Sequence, residues 1–159
     1  MDIIKKLISL PTAGIRGLDF LAPLVDLGAR LWLANVFWKS GLTKIMSWDT
    51  TITLFTYEYS VPLLSPEVAA ALATAVELGG AVMLAVGLGG RVGAAALFIL
   101  NFVAVISYPD LSEVGLKDHL FWGILLALFL VHGPGKLSVD HWIRRRAMPT
   151  SAGNRHDPK

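Results

Sequence analysis

One carboxylate is conspicuous by its surroundings. Glu77 is the only charged residue in the twenty-one residues 68–88. An ionisable group inside so long an apolar segment is costly in lipid and ordinarily faces a partner or a cavity. A carboxylate held there has two uses: it can carry a proton, or it can pair with a cation and fix helix packing. The cations available to it are Arg30 and Lys44, both on the stretch 23–46. His119, beside Asp118, is a second proton carrier, because imidazole titrates nearest neutrality. Asn101 adds a neutral donor and acceptor within the uncharged run 92–108.

Other chemistries find no residues to carry them. The 159-residue chain has no cysteine, which excludes disulfides, iron–sulfur clusters, thiolate zinc sites and persulfide chemistry on this chain. Met1, Met46, Met83 and Met148 are scattered, so no thioether copper site is expected. His119 and His132 lie thirteen residues apart on one segment, near opposite ends, and cannot clamp one haem; His141 and His156 fall in the C-terminal stretch. No glycine-rich phosphate loop follows a strand. No metal, haem or nucleotide is therefore expected. Basic residues collect at the two ends and the net charge is only +2, so nucleic acid is excluded as a partner.

The elements that must position these residues are helices in a bilayer. Hydrophobic residues make up 54% of the chain and charged residues 16%, against about 25% charged in a soluble domain. The mean hydropathy is +0.59. Four apolar segments, about 23–46, 67–88, 91–108 and 118–134, are long enough to cross the hydrocarbon core. The first contains Asp26, Arg30, Lys39 and Lys44. Asp26 and Arg30 are four apart and partly neutralise one another, while Lys39 and Lys44 lie near one end. On a helix, Arg30, Phe37, Gly41 and Lys44 share one stripe, taken as inward, with Asn35 and Lys39 nearly opposite. The expected fold is all-α: an integral membrane four-helix bundle over residues 23–143, preceded by a short amphipathic surface arm at 1–22. The basic stretch 144–159 reads as a disordered tail.

Charge orients the spans. Lys5, Lys6, Arg16, Arg91, Lys136 and Arg144, Arg145 and Arg146 sit at one side; Asp49, Glu58, Glu67, Asp110 and Glu113 sit at the other. The positive-inside rule then places both termini in the cytoplasm. Gly133, Pro134 and Gly135 end the last span at that face, and Ser138 with Asp140 can cap a surface helix over 141–146. The loop "SWDTTITLFTYEYSVPLLSP" is too apolar for a free linker and is expected to form a short helix on the outer side of the bundle.

Three motifs carry a family resemblance: "RLWLANVFWKSGLTKI" at 30–45, "ELGGAVMLAVGLGGR" at 77–91 and "HGPGKLSVD" at 132–140. Together they resemble the DoxX family of small membrane proteins, over roughly residues 25–142. The resemblance implies a bacterial inner-membrane four-helix protein. Some members are the small subunit of a thiosulfate:quinone oxidoreductase, others associate with soluble redox or detoxifying enzymes, and many have no assigned activity.

On that basis Glu77 and His119 are expected to carry protons to or from a quinone headgroup, with Arg30, Lys44 and Asn101 binding it. The five are expected to line one path from mid-membrane to the outer surface. Electrons must come from a partner membrane or periplasmic redox protein, since no redox centre lies on this chain. Enzymatic activity is thus at most that of a subunit. The alternative is a non-catalytic membrane anchor or accessory subunit, in which Glu77 pairs structurally with Arg30 or Lys44. Transport of a small solute is a third class, which four spans without repeats serve poorly unless the chain oligomerises. Small-residue faces such as "GGRVGAAAL" offer a surface for that self-association.

Overall fold

The computed structural model describes residues 2–147, with side chains from Gly17 onward. Six helices follow in order: α1 (Asp2–Met46), α2 (Trp48–Tyr57), α3 (Pro66–Val86), α4 (Gly90–Ser107), α5 (Glu113–His132) and α6 (Val139–Ala147). The described residues contain no strand. Four stretches are long and apolar enough to span a membrane: Gly17–Met46, α3, α4 and α5.

Local chemistry sets the ends. Ser65 caps α3 by accepting from the Val68 amide, and Pro66 occupies the first turn, where its missing N–H is no loss. Ser112 caps α5 through the Gly115 amide. That cap starts α5 at Glu113, a turn earlier than the apolar run suggests, so Lys117 and Asp118 are helical. Gly87, with φ of 71°, ends α3 at Val86 in a left-handed turn open to glycine.

Two parts of the sequence reading change in form. Residues 2–22 are helical and continuous with the first span in the single helix α1, rather than a separate arm. The side chains that would make residues 2–16 amphipathic lie outside the described residues. At the other end, Arg144, Arg145 and Arg146 lie on α6 and not in a disordered tail. Residues 148–159 lie outside the described residues. The short helix expected in the long loop is α2, which buries Thr51 and Phe55.

The bundle is built from the pairs α1–α3, α3–α4 and α4–α5, with α5 brushing α1 and α2 laid across α1 and α3. Its core is Leu33, Ala34 and Phe37 of α1 with Ala81, Leu84, Ala94, Leu97, Leu126 and Phe129. The expected inward stripe of α1 is inward: Arg30, Phe37 and Gly41 are buried, whereas Asn35 and Lys39 are exposed. Leu31, Trp32, Val82, Ile99, Phe102, Leu120, Phe121, Ile124 and Val131 are exposed. Such a continuous apolar exterior suits lipid, not water.

The small residues of "GGRVGAAAL" pack α4 against α3 inside one chain. A Cβ on Gly93 would lie 2.8 Å from Met83 Cβ and 3.2 Å from the Gly80 carbonyl oxygen. Gly93→Leu is therefore expected to destabilise the bundle by about 1–3 kcal/mol, the range for overpacking. Gly79→Leu, where a Cβ meets nothing within 4 Å, should leave the melting temperature in detergent near wild type.

Candidate functional site

The polar residues of the spans gather in three places. At the first, α1 and α3 approach closely because position 41 is glycine. A Cβ there would meet Leu78 at 2.8 Å and Glu77 Cβ at 3.2 Å. This contact brings Lys44 Nζ to 2.8 Å from both Oε1 and Oε2 of Glu77. Lys44 also donates to Ser40 Oγ at 3.0 Å, and the Ser40 hydroxyl donates to Glu77 Oε1 at 3.1 Å. All three ammonium protons thus have acceptors. Glu77 is 7% exposed, so its charge depends on this pairing.

An apolar cavity of about 220 Å³ opens from the pair towards the α3–α4 surface. Phe55 and Tyr59 form its roof, Leu72, Ile99 and Leu100 its walls, and Ser107 its far edge. Ser107 is 1% exposed and its hydroxyl has no hydrogen-bond partner. A buried hydroxyl without a partner is unusual. The roof is tied down by the Ser60 amide donating to the Ser107 carbonyl at 2.8 Å. Tyr59 stacks on Phe55, ring centroids 4.8 Å apart, and lies 5.0 Å from Tyr108. The Tyr108 hydroxyl donates to Glu58 Oε2 at 3.0 Å.

The second place joins α4 to α5. The Asn101 side-chain amide donates to the His119 carbonyl at 2.9 Å, and its oxygen lies 2.7 Å from His119 Nδ1. With the amide so oriented its oxygen can only accept, so Nδ1 carries a proton and Nε2 is the nitrogen left for exchange. The ring sits edge-on to Trp122 at 4.9 Å.

Arg30 belongs to the third place, at the opposite end of α1. It is 1% exposed and donates through Nη1 to the Pro134 carbonyl and through Nη2 to the Leu137 carbonyl at 2.7 Å. Fourteen residues separate it from Lys44, a rise of about 21 Å on a helix. The five residues therefore do not line one path. Lys44, not Arg30, pairs with Glu77, and no hydrogen bond among the described residues links that pair to Asn101 or His119. The reason is local: the glycine-bounded turn after α5 presents bare carbonyls, and the guanidinium satisfies them.

Asp140 also departs from its expected role. Its carboxylate accepts from the Gly89 and Gly90 amides at 2.9 and 3.0 Å, capping α4 instead of the terminal helix. Its own amide donates to the Gly87 carbonyl at 3.0 Å. Ser138 does cap α6, accepting from the His141 amide at 3.2 Å. Arg30, the glycines of 87–90 and the segment 134–140 come from the three motifs of the sequence, and they interlock here.

A bundle of four membrane-spanning helices with paired charges inside it is a multi-pass membrane protein. The sequence model of the DoxX family matches residues 25–109, more than half of the chain, and the protein belongs to that family. The matched region holds Arg30, Lys44, Glu77 and Asn101, and ends before the closing glycine–proline motif. No curated protein and no solved structure matches the chain.

Sequence reasoning missed Ser40, although its place one turn before Lys44 was visible. It also missed Phe55, Tyr59 and Ser107, which meet only through long-range folding.

Asp140→Ala removes two acceptors from the start of α4 and should destabilise the protein by about 1–2 kcal/mol in a detergent melt. Ser138→Ala should have a smaller effect. Burial, then the neighbouring Tyr108, raises the Tyr59 phenol above its usual range, and the Glu58 bond raises that of Tyr108. The neutral phenols are thus favoured by folding. Their stabilisation is present below the unfolded value of about 10 and lost as pH rises through the higher folded values. Tyrosinate absorbance should appear later on alkaline titration of the folded protein than after denaturation, and Tyr108→Phe should remove part of that delay.

Proposed function

We propose that this DoxX-family protein is the membrane subunit of a quinone-linked oxidoreductase, with the quinone ring seated in the cavity beside Glu77. The observation that carries the reading is an apolar cavity bounded by a Lys44–Glu77 pair and by the unpartnered Ser107 hydroxyl. Its volume of about 220 Å³ falls below the roughly 300–1,000 Å³ of a drug-sized site, so it suits one ring. Exposed Leu72 and Ile99 on its rim leave room for an isoprenoid tail to pass into lipid.

A quinone supplies two-electron chemistry and takes up two protons when reduced. The chain's own part is to bind, orient and move protons. Ser107 Oγ donates to one carbonyl oxygen. At the other end of the cavity Lys44 gives a charge-assisted bond by turning one ammonium proton away from Ser40 or Glu77. Glu77 holds the exchangeable proton, and Phe55 and Tyr59 exclude bulk water. His119, with Nε2 as its free nitrogen, serves proton exchange on the neighbouring helix. Electrons come from a partner redox protein, which the outer loops would meet if the basic ends lie in the cytoplasm of an inner-membrane protein.

The runner-up is a non-catalytic anchor or accessory subunit. The full hydrogen bonding of Lys44 favours it, since a pair so satisfied can serve packing alone.

Organic extraction of the purified protein should yield bound quinone. Glu77→Gln should lower retention roughly tenfold, the effect of losing about 1.5 kcal/mol of charged hydrogen bonding. Ser107→Ala should lower it as well. Wild-type protein purified without quinone, yet still joined to a partner after Glu77→Gln, would establish the anchor instead.

A further inference from the structure

Lys44, Phe55 and Tyr59 line two cavities, not one. On the side away from the apolar cavity lies a second space of about 230 Å³ between the end of α1 and α2. Its other walls are largely hydroxylic: Ser40, Thr43, Ser47, Thr50 and Thr51. Thr43, Ser47 and Thr50 are exposed and form its mouth, whereas Ser40 lies half-buried at its inner end, bonded to Glu77. At about 30 Å³ per water, the space has room for several waters, with hydroxyl partners for each.

We propose that this hydroxyl-lined cavity is the water port through which Glu77 exchanges protons, and that Lys44, Phe55 and Tyr59 form the partition between it and the apolar cavity. The carboxylate is then wet from one side and faces hydrocarbon on the other. Ser40 is the connecting group, because its oxygen accepts from Lys44 and its proton points at Oε1. A hydronium entering the port gives its proton to Ser40 Oγ while that hydroxyl passes its own to Glu77 Oε1. Neutral water remains, Ser40 is regenerated, and Glu77 becomes neutral. The port does not depend on the quinone reading: a protein that holds no quinone still opens Glu77 to water from this side.

The absence of native cysteine makes accessibility a direct test. Single variants Ser40→Cys, Thr43→Cys and Ile99→Cys, in lipid nanodiscs that expose both faces, are treated with a cationic, membrane-impermeant methanethiosulfonate. Thr43→Cys reports the mouth, Ser40→Cys the inner end and Ile99→Cys the lipid-facing rim of the apolar cavity. Ser40→Cys should react at least about tenfold faster than Ile99→Cys, since a neighbouring ammonium favours the thiolate, whereas position 99 faces hydrocarbon, which suppresses it. Leu54→Cys, on the α2 wall of the port, reads the same space without touching the pair if Ser40→Cys does not fold. Reaction at Thr43→Cys with none at Ser40→Cys or Leu54→Cys would overturn the port. Equal rates at Ile99→Cys and Ser40→Cys would overturn the partition.

Discussion

The charges buried between the helices of this protein are answered from within the chain. Lys44 and Glu77 answer one another, with Ser40 taking the remaining ammonium proton. Arg30 is answered by two backbone carbonyls. Removing one partner from such an arrangement leaves a buried charge uncompensated, at a cost of roughly 3–5 kcal/mol. The helix register follows from this: α1 can slide or rotate against α3 only by breaking the Glu77 pair, and against the turn after α5 only by stripping Arg30 of its acceptors.

The four spans were legible because lipid imposes a length and an absence of charge that a single sequence displays directly. The inward face of α1 was legible for a related reason, since a helix of period 3.6 can turn only one of its two polar stripes inward. The pairing of the ionisable residues was not legible. Arg30 and Lys44 share that stripe, and nothing in the spacing says which reaches Glu77. The choice rests on a loop distant in sequence whose carbonyls capture the guanidinium. Asp140 illustrates the same gap. Its position before a basic helix suggests a local cap, but folding sets it against the start of α4, fifty residues upstream of it. The cavity was the least visible feature, since its roof and far edge join α2, the end of α4 and the turn between α2 and α3.

The two ends of the bundle differ in kind. Around Arg30, Gly87 and Asp140 the hydrogen bonds are mostly to backbone, and a Cβ on Gly87 would strike Arg30 Nη1 at 2.5 Å and Ser138 Cβ at 2.6 Å. The guanidinium itself is enclosed there, although a cavity of about 310 Å³ lies beside the clasp, lined in part by Asp26, His132, Asp140 and His141. Around Lys44 the bonds are between side chains, the neighbours are hydroxyls and aromatic rings, and open space lies on both sides. One end ties loops to helix ends through the backbone; the other gathers side-chain hydrogen bonds beside open space.

The clasp on Arg30 also bears on how the chain is made. The guanidinium enters the membrane with the first span, but its acceptors lie 104 and 107 residues later. Until the last helix has been inserted, that charge lacks both carbonyls and has only Asp26, four residues earlier on the same helix, as an opposite charge nearby. A nascent chain that stalls before Pro134 therefore carries a guanidinium without the two carbonyls that hold it in the finished bundle.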